Sequence, residues 1–264
     1  MAVMPHQDAF EDLARFYDPI MSQVNYDRWL TVCTALAELQ PRTPFAHVDI
    51  GCGTSVLMKK LVRLGWNTRG VDLSWAMLLA GRKSGPKPVV ACADMRALPF
   101  ARGSCDYLTC LFDSVNFLLD PADLGPTFRE AGRILAPHGI YYFDVITSRM
   151  VTEYFEGRKW TEKNGRFSTT WEGAFDRKTG VAETAIQVNR NFISVVRERV
   201  HSMDEIRAAL GDAGLTLLGA FDAETWKVPV KRTLRIDLIA AKEPAADVRR
   251  KFKAIEEQLR ERME

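Results

Sequence analysis

Four short segments carry residues whose types and spacing could hold a nucleoside. The first is Val48-Asp49-Ile50-Gly51-Cys52-Gly53-Thr54-Ser55, an apolar run that ends in a glycine turn. Gly51 and Gly53 let a backbone turn sharply and come close to a ligand. The helix start expected just after them offers free N–H groups to an anionic group such as a carboxylate. The second is Gly70-Val71-Asp72-Leu73-Ser74, with Asp72 placed 19 residues after Gly53. A carboxylate at that point can accept hydrogen bonds from both hydroxyls of a ribose. The third is Ala93-Asp94-Met95, in which Asp94 could accept from an adenine amino group while Met95 packs on the ring face. The fourth is Leu111-Phe112-Asp113-Ser114-Val115-Asn116. Each also has an architectural use: a plain turn for Gly51 and Gly53, a helix cap for Asp72, a turn aspartate beside a core methionine for Asp94 and Met95.

What unites the four is the set of elements needed to present them. Ala46–Ile50, Thr68–Val71, Val89–Cys92, Tyr107–Leu111 and Ile140–Ile146 read as short strands. Helical segments lie between several of them, at 54–64 with Val56, Leu57, Leu61 and Leu64 on one side, after Ser74, and at 124–135. Strands alternating with helices imply a parallel sheet with right-handed crossovers. In such a sheet ligands bind outside the carboxyl ends of the strands, and all four segments fall on that edge.

Three further regions flank this unit. Residues 8–39 read as mostly helical, broken by Gln40-Pro41-Arg42-Thr43-Pro44. From 159 to 200 the chain is rich in Thr, Val, Trp and Phe, with turn signals at Asn164-Gly165 and Lys178-Thr179-Gly180, which predicts three or four antiparallel strands. Ser202-Met203-Asp204-Glu205 has the form of a capping box. A helix to about Ala213 and closing strands at 215–221 and 233–240 follow. Val248, Phe252, Ile255, Leu259 and Met263 form an amphipathic stripe in the tail, suited to packing on its own domain or to a dimer contact.

Taken together, the segments resemble those of the class I S-adenosylmethionine-dependent methyltransferases, over roughly residues 12–242. Residues 48–55 resemble the first motif of that family, 70–74 the acidic end of its second strand and 92–95 its adenine-contacting turn. Arg133-Ile134-Leu135-Ala136-Pro137-His138-Gly139 resembles the turn before strand five. Tyr17-Asp18 and Tyr26-Asp27-Arg28-Trp29 resemble the N-terminal lid of the small-molecule branch. The resemblance departs at Ser55, where a third glycine is common, and at His138, which replaces a glycine.

The resemblance implies an α/β fold, a Rossmann-like seven-stranded, mostly parallel sheet of order 3-2-1-4-5-7-6. Helices would cover both faces, with a small antiparallel β insert over the substrate. It divides the chain into a helical lid (1–43), an S-adenosylmethionine-binding domain (44–150 and 201–242), the insert (151–200) and a C-terminal helix (243–264). It assigns Tyr17, Asp49, Gly51, Cys52, Gly53, Asp72, Leu73, Met77, Asp94, Met95, Leu111 and Phe112 to the cofactor. Tyr26, Trp29, Asp113, Asn116, Trp171 and Arg197 are the candidates for the substrate side. Tyr17 has the alternative use of a core aromatic, and His201 is read as structural. Methyl transfer works largely by positioning and water exclusion, so no fixed catalytic residue is required and none is assigned.

Composition bounds the alternatives. The formal net charge of +2 gives no argument for nucleic acid as a partner, and no N/D-P-P-Y/F motif is present. The five cysteines are odd in number and lack a C-x-x-C, which fits reduced thiols in a cytoplasm. The four histidines form no metal-ligand pattern, and no run approaches the ~20 apolar residues of a membrane span. A small-molecule substrate and a monomer or homodimer are expected. An NAD- or FAD-dependent oxidoreductase shares the strand-glycine-helix-acid layout but wants glycine where Val56 stands. A non-catalytic S-adenosylmethionine-binding subunit is the other alternative.

Overall fold

The computed structural model describes residues 8–40 and 43–263. His6 and the rest of the first seven residues of the lid, and Pro41-Arg42 of the proline break, lie outside the described residues.

In chain order the elements are α1 (Ala14–Ile20), α2 (Tyr26–Ala37), β1 (Ala46–Ile50), α3 (Val56–Arg63), β2 (Asn67–Asp72), α4 (Trp75–Gly81), β3 (Val89–Cys92), β4 (Cys105–Cys110), α5 (Leu124–Ile134), β5 (Leu135–Ile146), α6 (Ser148–Tyr154), β6 (Lys159–Asn164), β7 (Phe167–Asp176), β8 (Val181–Val188), β9 (Asn191–Arg199), α7 (Met203–Asp212), β10 (Leu215–Asp222), β11 (Arg235–Lys242) and α8 (Val248–Met263). Seven strands form one sheet in the order β10-β11-β5-β4-β1-β2-β3. β1 to β5 run parallel, and β11 pairs antiparallel with both β5 and β10. With β11 and β10 as the closing pair, this is the expected order 3-2-1-4-5-7-6. The insert is a separate four-stranded antiparallel sheet, β6-β7-β8-β9.

The central strands are apolar because both of their faces are covered. One face packs α5 and α7 through Phe128, Ile134, Ile206 and Leu210 against Leu108, Tyr141 and Phe143. The other packs α2, α3 and α8 through Leu36, Leu61, Phe252 and Leu259 against Tyr107, Tyr142 and Ile239. The tail stripe is therefore covered by its own domain: Val248, Phe252, Ile255 and Leu259 are all buried. Burying four such side chains is worth about 1.5–3 kcal/mol each in area terms.

The N-terminal region carries two helices. α1 is short and contains Pro19, which lacks the N–H that helix propagation uses. α2 starts afresh at its cap, Asn25, whose side chain accepts from the Arg28 N–H at 3.3 Å. The capping box of α7 forms: the Glu205 N–H donates to Ser202 Oγ at 3.2 Å and the Ser202 N–H donates to Glu205 Oε2 at 2.7 Å. β5 begins earlier than the sequence suggests, because Pro137-His138-Gly139 sits inside an irregular strand rather than ending a helix. His138 takes φ +67° there, and the β4–β5 register shifts between Cys105 and Tyr107.

Candidate functional site

A pocket opens at the carboxyl ends of β1 and β4. It is lined by Asp49, Gly51, Cys52, Gly53, Thr54, Val56 and Leu57 from β1 and the turn into α3. Leu111 and Phe112 line it from the end of β4, and Tyr17, Tyr26 and Trp29 from the lid. It encloses about 50 Å³. Seven of the twelve residues expected at the cofactor and two of the six expected at the substrate thus line one cavity.

The glycine turn is sharp, as expected, and its own N–H groups are spent within the fold. The N–H groups of Gly51 and Cys52 are not free for an anion: both donate to Val71 O, at 2.8 and 3.0 Å. The Gly53 N–H donates to Asp72 Oδ2 at 2.7 Å. The turn is buttoned to the end of β2, and its use to a ligand is its bareness. Gly51 and Gly53 both sit in the left-handed region, at φ +69° and +53°. A Cβ on Gly51 would collide with Ser114 Oγ, and one on Gly53 would stand 3.4 Å from Met77 Cε. Met77 is thereby placed directly behind the turn.

Two acids face this cradle. Asp72 receives one N–H on each oxygen, Gly53 on Oδ2 and Ser74 at 2.8 Å on Oδ1. Each oxygen keeps a second lone pair for a hydroxyl donor. Burial pushes the Asp72 carboxyl up, and the two N–H groups partly oppose this. Asp49 is buried at the end of β1, where Thr109 Oγ1 donates to its Oδ1 at 2.5 Å. Burial pushes its pKa up to about 7.

Past Asp72, Leu73 is a large apolar side chain left 65% exposed. Met95 packs against the core beside β3. Asp94 lies between them in sequence and is gripped by Arg96, whose Nε and Nη2 donate to its two oxygens at 3.0 and 2.6 Å. Those bonds hold the Asp94 carboxyl below the usual carboxylate range.

The lid is tied down at both ends. Thr54 Oγ1 donates to Asp18 Oδ1 and Ser74 Oγ donates to Asp8 Oδ2, each at 2.5 Å. Phe10 stands edge-on to Tyr17, ring centroids 6.0 Å apart. Burial raises the Tyr17 hydroxyl well above its ordinary pKa, so it stays protonated and can donate. Arg28 reaches from α2 to Asp237 of β11 and to the carbonyl of Ala223. This contact fixes the helix that carries Tyr26 and Trp29, whose rings are 5.7 Å apart. Trp29 in turn meets Phe112 edge-on at 5.4 Å.

The remaining substrate-side candidates scatter. Asp113 sits beside the pocket at φ +62°, held by Arg235 Nη1, which donates to its Oδ1 at 2.5 Å. Trp171 stacks on Trp160 (5.9 Å, 8°) and packs in the cluster under Tyr17, with its Nε1 buried and unpaired. Asn116 is fully buried and spent on backbone: its Nδ2 donates to Arg199 O at 2.8 Å, and the Ile146 N–H donates to its Oδ1 at 3.1 Å. It fastens β9 to the loop after β4 and has no amide atom left for a substrate. Arg197 lies on the outer face of the insert, where it pairs with Glu183 at 2.6 Å and is half exposed. The alternation of β9 puts the next residue, Glu198, on the inner side. Arg235, Asp144 and Glu198 are the three charged residues of this wall that sequence reasoning missed. A charged residue in an apolar closing strand is the signal that could have found Arg235.

The pocket suits S-adenosylmethionine. That cofactor brings hydroxyls and two positive groups, a sulfonium and an ammonium, to a sheet edge that holds the buried Asp49 and the half-buried Asp72. The N–H groups of Gly51, Cys52 and Gly53, of the kind that cradle a diphosphate in a dinucleotide site, are spent within the fold.

The comparisons with known proteins agree with this geometry. A methyltransferase-domain model matches residues 48–143. A putative methyltransferase of Bacillus subtilis (strain 168) is 30% identical over 166 residues, 62% of this chain; the match spans 66% of that relative's length, just under two thirds. A crystal structure of an S-adenosylmethionine-dependent methyltransferase from Clostridium acetobutylicum ATCC 824 superposes with a TM-score of 0.75 at 24% identity, covering 89% of this chain and 99% of that one. The S-adenosylmethionine-bound amino pentose methyltransferase CalS10 from Micromonospora echinaspora superposes with a TM-score of 0.63 at 18% identity, covering 92% and 100%. With the strand order, the glycine turn buttoned to Asp72 and the methyltransferase-domain match all on one sheet edge, residues 48–143 are a methyltransferase domain and the chain has the fold of the class I S-adenosylmethionine-dependent methyltransferases.

Proposed function

We propose that this protein transfers a methyl group from S-adenosylmethionine to a small-molecule acceptor. The observation that carries the reading is the bare turn at Gly51 and Gly53 hydrogen-bonded to Asp72, with Asp49 behind it and an aromatic lid of Tyr17, Tyr26 and Trp29 above. Asp72 would hold the ribose. Leu73 and Met95 would flank the adenine, with Asp94 oriented by Arg96 toward its amino group. Asp49 and Tyr17 would meet the methionine end.

When bound, the cofactor supplies an electrophilic methyl carbon. The chain's own residues do the rest by arrangement. Tyr26, Trp29 and Phe112 form an apolar wall that excludes water and leaves an acceptor few orientations. Arg28 and Arg235 hold that wall from behind. The lid residues Asp8 and Asp18 bond to Ser74 and Thr54 of the cofactor domain, so cofactor exchange requires those two bonds to open. A lid of this size over an aromatic pocket supports a small acceptor rather than a polymer, and the aminosugar acceptor named for CalS10 is an acceptor of that size. All five cysteines are free thiols, and among the described residues no helix is long and apolar enough to cross a membrane. Both support a cytoplasmic place.

The test is calorimetric titration of purified, cofactor-stripped protein with S-adenosylmethionine and, in parallel, with NADH. Micromolar binding of the first and none of the second is expected. A folded protein that ignores S-adenosylmethionine ends this reading. Transfer of isotopic label from methyl-labelled cofactor to pooled small-molecule acceptors then tests turnover.

A further inference from the structure

The wall beside Phe112 holds more acids than bases. Arg235 donates through Nη1 to Asp113 at 2.5 Å and to Asp144 at 3.1 Å, and its guanidinium lies 5.5 Å from the centroid of the Phe112 ring. Glu198 joins the same group from the insert, against Asp113. Three carboxyls therefore share one guanidinium. Arg28 is bonded to a further acid, Asp237, and reaches Asp144 only through space.

Glu198 is brought there by two independent features. Asn116 clamps the carbonyl of Arg199, the next residue, to the loop after β4. Along β9, Ser194 donates to Ala9 O of the lid and Val196 packs in the cluster with Tyr17 and Trp171. The two-residue repeat of a strand then puts Glu198 on that same inner face. Glu198 Oε1 is buried and has no hydrogen-bond partner. A buried carboxylate oxygen without a donor is costly to keep unless something supplies the donor. The carboxyl is pushed well above its ordinary pKa, first by burial and then by Asp113, in keeping with a site that lacks one positive charge. Tyr17, which lines the pocket, lies within electrostatic reach of Glu198.

We propose that Glu198 is the specificity-determining residue of the acceptor side, and that it selects an acceptor carrying a protonated amine. An ammonium group supplies both the missing donor and the missing positive charge. A hydroxyl supplies only the donor, and a carboxylate adds a fourth acid to the three carboxyls already sharing Arg235. The inference rests on the proposed methyl transfer, since it names a group by which the acceptor is recognised; the methyl goes to an atom with a free lone pair, which the ammonium nitrogen becomes only after giving up a proton.

The experiment uses three ligands of one shape on the full chain preloaded with S-adenosylhomocysteine: cyclohexylammonium, cyclohexanol and cyclohexanecarboxylate, titrated by calorimetry at pH 7. Wild type is expected to bind the ammonium at least ten-fold more tightly than either of the others. Glu198→Gln is expected to erase that preference, and Arg197→Gln, its outward-facing neighbour, to keep it. Thermal melts of all three proteins establish that each is folded. The proposal is overturned if folded, loaded wild type shows no preference for the ammonium, including no binding of any of the three, or if the preference survives in Glu198→Gln. Failure to load with S-adenosylhomocysteine would instead overturn the methyltransferase reading on which the proposal stands.

Discussion

The proposed cofactor cradle and the proposed acceptor wall stand side by side on one sheet edge, and they are tied together over different distances along the chain. The bond that shapes the cradle, Gly53 to Asp72, joins residues 19 apart. The bonds that shape the wall join residues far apart: 83 for Asn116 to Arg199, 122 for Arg235 to Asp113, and 209 for Arg28 to Asp237. The cradle is one strand-turn-helix-strand unit and closes when its own strands pair. The wall exists only after β9, β11 and α2 have all docked. A cradle built locally can be kept intact across many proteins, whereas a wall built from three distant elements is free to vary, and acceptor choice is what varies on this fold.

The largest test of that contrast is Arg235→Ala. It leaves Asp113 and the fully buried Asp144 without their guanidinium, and removing one partner of a buried ion pair costs about 3–5 kcal/mol. A fall of that size in urea-unfolding free energy is expected, with the apparent melting point lowered accordingly. A loss below about 1 kcal/mol would show that the wall does not depend on this residue, and the contrast would break.

Asp49 tests the cradle next, through pH. Its folded pKa of about 7 stands above its unfolded value of 3.8. The folded protein therefore holds a proton that the unfolded chain has lost between these values. Stability is expected to decline as pH rises from about 4 to about 7 and to level off above, by roughly 4 kcal/mol for a shift of about three units. Asp72, Asp144 and Glu198 are raised as well, and Asp237 to about 6, so they tilt the curve the same way. Asp49→Asn should flatten part of it. Cofactor affinity has the opposite slope, because the ionised Asp49 suits a cation: it should rise with pH up to about 7. Equal pH slopes for wild type and Asp49→Asn would show that Asp49 is not the group holding the proton.

The same contrast explains which features were legible in the sequence. Gly51, Gly53 and Asp72 could be read because the physics that places them lies within one strand-turn-helix-strand unit. The capping box at Ser202 and Glu205 and the stripe from Val248 to Leu259 were legible for the same reason, being set by helix periodicity. The wall was not. Pattern alone left the face of each insert residue open, because a shift of one residue turns every side chain of a strand to its other face. An irregularity between Ile186 and Gln187 in the β8–β9 pairing changes the phase again. Arg235 begins an apolar closing strand and gave no local sign of Asp113. Asn116 stood at the right strand end for a ligand contact, and its two backbone partners, Arg199 and Ile146, lie 83 and 30 residues away.

Asp72→Ala makes the cradle's case at smaller scale. Its two accepted N–H bonds hold the turn, and its remaining lone pairs are the proposed ribose contact. Weakening of S-adenosylmethionine binding by about ten-fold or more, about 1.4 kcal/mol, is expected by calorimetry. Asp72→Asn keeps an acceptor oxygen and should fall between wild type and alanine. If alanine binds as wild type does, the glycine turn holds the cofactor without the acid.

The smallest expected effect separates two neighbours on β9. Arg197 and Glu198 are adjacent, both charged, and were indistinguishable by composition. Arg197 pairs with Glu183 with both side chains about half exposed, where water screens the attraction and an ion pair is worth roughly 0–1 kcal/mol. Arg197→Ala should therefore change unfolding free energy by less than about 0.5 kcal/mol and leave cofactor affinity unchanged. Glu198 has no such partner: its nearest charges are the acids and the guanidinium of the wall. A loss of more than about 1 kcal/mol in Arg197→Ala would mean that the insert presents the opposite face to the site. Arg197 would then take the inner position, and Glu198 would become the solvated residue.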